Sequence, residues 1–185
     1  SKGKHQFDQE MMDQLGAIRD SANQAIQELR SSIYRLSSRK KGEMFFSKTL
    51  KNYMESFGTL NHVDFNLDIQ GDENLLSGSI RKALYRIICE ATGNAVRHGK
   101  CSRLMIDIDI GSVSTTVIIR DNGRGFDIDK GIENKRRGLG LYNIKSLVQS
   151  FNGSVDIQSR VGAGTEIKMV IPHHKEMFTD GEVAL

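Results

Sequence analysis

Between Ile80 and Ile119 the apolar residues change their period once, and that change constrains the fold more than any other feature of the chain. From Ser79 to His98, Ile80, Leu84, Ile87, Ile88, Ala91, Ala95 and Val96 form one face of a long helix. From Ile106 the period becomes two: Ile106, Ile108 and Ile110 alternate with Asp107 and Asp109, and 115–119 is β-branched throughout. Gly111-Ser112 reads as the hairpin turn between these strands. A one-faced helix beside one-faced strands must pack face to face, which specifies a layered α+β domain. The same patterns recur on both sides. A helix over 45–57 stops at Gly58, and Val63 to Ile69 alternates as a strand. A helix over 141–151 is followed by strands at Val155 and Ile157 and at Ile167, Met169 and Ile171 up to Pro172. The expected architecture is an α/β sandwich, a mixed or antiparallel sheet with helices on one face.

Ahead of this domain, Met11, Leu15, Ile18, Ala22, Ala25, Leu29, Ser32 and Leu36 recur in alternating steps of four and three, a coiled-coil seam. Ile26 and Ile33 widen it toward bundle packing, and the basic break Ser37-Ser38-Arg39-Lys40-Lys41-Gly42 ends it. An isolated helix does not bury such a seam, so a second helix or a second copy is implied. With 185 residues, 38% apolar and 26% charged, the chain has material for one folded core. A net charge of +3 is too small to argue for nucleic-acid or membrane-surface binding. Cys89 and Cys101 have no metal-ligand spacing and read as reduced thiols. The opening residues lack a signal peptide, and no apolar run reaches membrane-span length.

Four features carry chemistry. Glu90, Asn94 and His98 lie four residues apart, on one stripe of the long helix. The carboxylate and the amide oxygen, one turn apart, suit a hard cation that keeps most of its water, such as Mg²⁺. Asp121-Asn122-Gly123-Arg124-Gly125-Phe126 follows a strand directly. A carboxylate there accepts from an exocyclic amino group such as adenine N6 and repels the guanine carbonyl, and the glycines let backbone approach a flat ring. Gly138-Leu139-Gly140-Leu141 leads into a helix, leaving backbone N–H groups free to surround phosphate oxygens. Lys135-Arg136-Arg137 adds positive charge ahead of it. Last, Gly162-Ala163-Gly164-Thr165 heads the final strand, where Thr165 reaches Asp121 if the two strands are neighbours.

In order and spacing these features resemble the N, G1 and G2 boxes and the closing glycine-threonine strand of the histidine-kinase ATP-binding domain, over roughly residues 43–172. The resemblance implies the Bergerat-type ATPase fold, ATP and Mg²⁺ as cofactors, and Asn94 with Glu90 as the catalytic and metal-holding pair. It implies Asp121 as the adenine reader and Gly123 and Gly125 as ring-approach glycines. It further implies nucleotide contacts from His98, Gly138, Leu139, Gly140, Leu141 and Thr165, and a mobile lid over 131–137. The wording Glu90-Ala91-Thr92-Gly93-Asn94-Ala95-Val96-Arg97-His98 is similar to the nitrate-sensor and membrane-thermosensor subgroup, and 28–36 resembles the end of the second helix of that subgroup's dimerisation hairpin.

On that resemblance, residues 1–41 are the later part of a dimerisation hairpin, 43–172 the catalytic domain and 173–185, including His173 and His174, a mobile tail. The partners implied are a response regulator with a helix-turn-helix output domain and a second copy of the chain, without direct nucleic-acid binding. The expected location is the cytoplasmic side of a bacterial membrane sensor. The subgroup's phospho-acceptor histidine is followed by an acidic residue. His5 is followed by Gln6, and His62 and His98 fall in other elements, so the acceptor and any membrane spans are expected upstream of this sequence. The activity implied is transfer of the ATP γ-phosphate to that histidine. The alternatives are an anti-sigma-type serine kinase, which has no need of the coiled-coil segment, and a non-catalytic ATP-binding clamp of the same fold.

Overall fold

The computed structural model describes residues 45–128 and 139–173, together with Met11, Gln14 and Ile18, which are helical. The chain divides into two units, 1–44 and 45–185, and nearly everything described belongs to the second. The rest of the coiled-coil seam, the acceptor comparison at His5, the basic triplet 135–137, the expected lid, Gly138 and residues 174–185 lie outside the described residues.

Five strands make one sheet: β1 (Asp64–Gly71), β2 (Arg103–Ile110), β3 (Ser114–Asp121), β4 (Ser154–Ser159) and β5 (Thr165–Pro172), in the order β1-β2-β3-β5-β4. β1 runs parallel to β2 and the other pairs are antiparallel, so the sheet is mixed. Leu104, Ile106, Ile108, Val117, Ile119, Ile167, Met169 and Ile171 are buried on one face. On the other face Arg120 bonds Asp107 at 2.9 Å and Glu166 at 2.6 Å, a half-exposed cluster worth little to stability.

Among the described residues of the second unit three α-helices flank the strands: α1 (Phe46–Asn61), α2 (Gly78–Asn94) and α3 (Leu139–Gln149). Ser77 caps α2 by accepting from the Ile80 N–H. Leu84, Ile87 and Ile88 then disappear from solvent, each contributing roughly 1.5–3 kcal/mol by burial. The hydroxyls of Tyr53 on α1 and Thr92 on α2 meet at 3.1 Å in the core, and Thr92 donates back to the Ile88 carbonyl, so this buried polar pair is satisfied. Cys89 and Cys101 are buried and form no disulfide.

Two helix ends differ from the sequence expectation. α1 runs through Gly58 to Asn61 and stops at His62, whose φ of 55° is left-handed. Gly58 is small for another reason: a Cβ there would lie 2.8 Å from the Val63 carbonyl oxygen and 3.0 Å from the Phe65 ring. α2 keeps its α period only to Asn94, and Ala95–Gly99 winds as a wider π turn that ends on left-handed Lys100. The expected stripe through Glu90, Asn94 and His98 therefore loses its four-residue register after Asn94.

His173, expected in the tail, instead donates its backbone N–H to the Val113 carbonyl, and its Nε2 is 2.7 Å from the Thr115 hydroxyl. Burial lowers its pKa. It extends the strand end rather than leaving it.

Candidate functional site

The end of α2, the start of α3 and the adjoining ends of β3 and β5 carry the expected residues in two groups. In the first, Asn94 donates its amide to Glu90 Oε1 at 3.2 Å and accepts from the Arg97 guanidinium at 3.3 Å. Both Glu90 and Asn94 are half-buried. Against them lies the first turn of α3: a Cβ on Gly140 would overlap Glu90 Oε1 and lie 2.6 Å from Asn94 Nδ2. Gly140 is thus a glycine because the helix start rests directly on the polar pair. This brings the free N–H groups of a helix N-terminus next to a carboxylate and an amide oxygen 46 to 50 positions earlier in the sequence.

The second group is built by strand pairing. Asp121 ends β3 opposite Thr165, the first residue of β5, which places the threonine beside the carboxylate as anticipated. Asp121 accepts from the Gly123 N–H at 2.8 Å and from both the backbone and the hydroxyl of Thr165. Burial pushes its carboxyl above the usual range, and these bonds pull it back toward ionisation. The neighbouring Cys101 thiol is pushed up to about 11, first by burial and then by the Asp121 charge, which makes it an unreactive packing group. Asp121 and Thr165 also line a cleft of about 410 Å³ at the strand ends, whose other walls are Arg120, Gln158, Ser159, Arg160, Ala163, Gly164 and Glu166, so that it extends onto the open face of the sheet.

The glycines of the 121–126 loop divide their tasks. Gly123 lies against the π turn: a Cβ there would be 2.6 Å from the Gly99 carbonyl oxygen and 2.8 Å from Asp121 Oδ1, while the Arg124 N–H donates to that same carbonyl at 2.8 Å. Gly125 has φ +58°, and a Cβ would overlap the Arg160 carbonyl. The contacts that require Gly125 are therefore with the β4–β5 turn, where a ring-approach role was expected. His98 is exposed on the π turn, Leu141 is half-buried in α3, and Leu139 is the first residue of that helix.

Sequence reasoning missed Arg97 and Ser159. Arg97 stands three residues after Asn94, within helical reach, so its spacing was a usable signal. Ser159 bonds Phe126, Gly164 and Thr165. Its signal was weaker, a lone hydroxyl on the inward-facing period of β4.

The residues present fit a magnesium nucleotide. Among the described residues no group of three His, Cys, Asp or Glu side chains forms a metal cluster. A cation at Glu90 and Asn94 would thus complete its shell from water and phosphate, as Mg²⁺ commonly does.

A five-stranded mixed sheet with a polar helix end, a glycine-led helix and a strand-end carboxylate defines a class of protein, the nucleotide-site α/β sandwich found in histidine kinases. Acinetobacter baumannii histidine kinase AdeS shares the fold at a TM-score of 0.57 and 15% identity, covering 85% of this chain and 81% of that one. The chain belongs to the histidine kinase-, DNA gyrase B- and HSP90-like ATPase family, whose model matches residues 79–175. Among curated relatives, the signal transduction histidine-protein kinase/phosphatase DegS of Bacillus subtilis is 28% identical over 67% of this chain and 33% of its own length. The sensor histidine kinase LiaS of the same organism is 25% identical over 95% of this chain and 47% of its own. The chain thus spans about a third to a half of the curated relatives it matches.

Proposed function

We propose that this chain is the ATP-binding catalytic portion of a two-component sensor histidine kinase. The observation that carries the proposal is the seat of Gly140 on Glu90 and Asn94, which joins a helix N-terminus to a hydrogen-bonded carboxylate–amide pair. Mg-ATP, when bound, supplies the phosphoryl group and the positive charge that neutralises it. The chain's own residues do the positioning. Asp121 accepts from the adenine amino group, with Thr165 beside it. Glu90 and Asn94 hold the cation, and the N–H groups at 139–141 face the phosphates. Arg97 adds a guanidinium at the same pair, and His98, Gly123, Leu139 and Leu141 border the nucleotide.

Catalysis in such a site is mainly orientation and charge neutralisation. The acceptor is a histidine on a dimerisation hairpin, of which residues 1–41 are the later part. The partners are a second copy of the chain and a response regulator, here of the helix-turn-helix output type. The intact protein is placed at the cytoplasmic face of a bacterial membrane. The relatives DegS and LiaS support this reading by their names. Among the described residues no helix is long and apolar enough to cross a membrane.

The test is transfer of label from γ-labelled ATP to a separately produced hairpin that carries the acceptor histidine. Acid-labile label on the hairpin is expected. Acid-stable label on serine would overturn the assignment in favour of a serine kinase.

A further inference from the structure

Ser159, the last residue of β4, ties three pieces of the base end together. Its hydroxyl accepts from the Phe126 N–H at 3.0 Å, donates to the Gly164 carbonyl at 2.9 Å, and lies 3.1 Å from the Thr165 hydroxyl. Thr165 in turn bonds Asp121. The three partners of Ser159 come from the 121–126 loop, the β4–β5 turn and β5.

Counting protons makes this cluster more than a staple. Each hydroxyl has one proton and two lone pairs. With the Phe126 N–H on one lone pair of Ser159 and its own proton on the Gly164 carbonyl, the Thr165 proton has two destinations. One is Asp121, which the Thr165 hydroxyl bonds in this structure, so that one carboxylate lone pair is taken. The other is the second lone pair of Ser159, 3.1 Å away, which releases that carboxylate lone pair.

We infer that Ser159 is a positioning residue for the Asp121 carboxylate, its hydroxyl giving the Thr165 proton an alternative destination and so freeing Asp121 to accept from an exocyclic amino group. This rests on the adenine-nucleotide reading of the site. It also links the loop through Phe126 to the acceptor strength of Asp121, since the Phe126 N–H occupies one of the Ser159 lone pairs.

Ser159→Ala removes the alternative and leaves Asp121 as the acceptor for Thr165. Calorimetry should then show ATP affinity lower by about three- to tenfold, the size of one net hydrogen bond. Affinity for ITP, which has a carbonyl where adenine has the amino group, should stay unchanged. Ser159→Thr keeps the hydroxyl and should restore the ATP to ITP ratio. In the ligand-free chain, carboxyl NMR should show the Asp121 titration midpoint moving down in Ser159→Ala, because its anion gains a full-time donor.

The neighbouring charged groups do not confuse that titration. The Cys101 thiol stays protonated across the acidic range, and Arg120 is engaged by Asp107 and Glu166. An unmoved midpoint, or equal losses for ATP and ITP, would reduce Ser159 to a structural staple and overturn the inference. If Ser159→Ala does not fold, Ser159→Cys, which keeps the volume and weakens the bonds, is judged by the same criteria. Failure of the unsubstituted chain to bind ATP would instead overturn the nucleotide reading, and the ligand-free titration would still decide the role of Ser159.

Discussion

Gly140→Ala tests the contact on which the two halves of the site depend. The added Cβ would overlap Glu90 Oε1 and stand 2.6 Å from Asn94 Nδ2 and 3.3 Å from its Oδ1, against roughly 3.5–4.0 Å for an unstrained contact. Either the start of α3 lifts away or the bond between Glu90 and Asn94 opens. Loss of that bond costs about 0.5–1.5 kcal/mol, and overpacking in general about 1–3 kcal/mol. Alanine also favours a helix over glycine by about 1 kcal/mol, so the net change in folding stability should be small. On the proposed reading binding has no such offset, because there the helix start and the polar pair act together. The expected result is a melting temperature within about 5 °C of the unsubstituted chain with at least roughly a tenfold loss of Mg-ATP affinity by calorimetry, about 1.4 kcal/mol. Unchanged affinity in a folded Gly140→Ala protein would refute the proposed closeness of phosphates and cation-holding pair.

Asp121→Asn should lower ATP affinity by about 1.5–3 kcal/mol and relax discrimination against GTP, since an amide can present a donor where the carboxylate only accepts; titration with both nucleotides checks this. The same substitution has a stability consequence. Because burial raises the folded-state pKa of Asp121, its ionisation costs stability above that pKa, and the cost vanishes below the unfolded value near pH 4. Thermal melts of Asp121→Asn should accordingly compare better with the unsubstituted chain at pH 7 than at pH 3. Asn94→Ala should weaken ATP binding more in Mg²⁺ than in EDTA, and equal losses would indicate a packing defect. Gly125→Ala forces a side chain into a left-handed conformation against the Arg160 carbonyl and should lower stability by about 1–3 kcal/mol in denaturant melts.

The sheet was legible because its strands bury one face each: the alternation at Ile106, Ile108 and Ile110 and at Ile167, Met169 and Ile171 needs no tertiary information. Helix ends were less legible. Gly58 looks like a stop signal, yet its smallness answers to the Val63 carbonyl and the Phe65 ring, contacts that only the folded chain supplies. The π turn at Ala95–Gly99 escapes a periodicity test because five residues are too few to show a changed period. Of the candidate site, Asp121, Thr165, Glu90, Asn94 and Gly140 were proposed from residue type and spacing, and strand pairing places Asp121 opposite Thr165 across 44 positions. Gly125 was assigned a ligand-facing task because sequence cannot tell a glycine that admits a ring from one that admits a carbonyl. Ser159 was invisible for a related reason: a hydroxyl acquires a role from its partners, and all three lie elsewhere in the chain or across a turn.

The central claim is that one nucleotide spans both groups of residues, and backbone and side-chain amide NMR during a Mg-ATP titration tests it most directly. The account predicts saturable shifts concentrated at 121–126, 139–141 and Thr165 and at the side-chain amide of Asn94, with Mg²⁺ required for the Asn94 response. No saturable response, or shifts confined to the open face of the sheet around Asp107, Arg120 and Lys168, would contradict it.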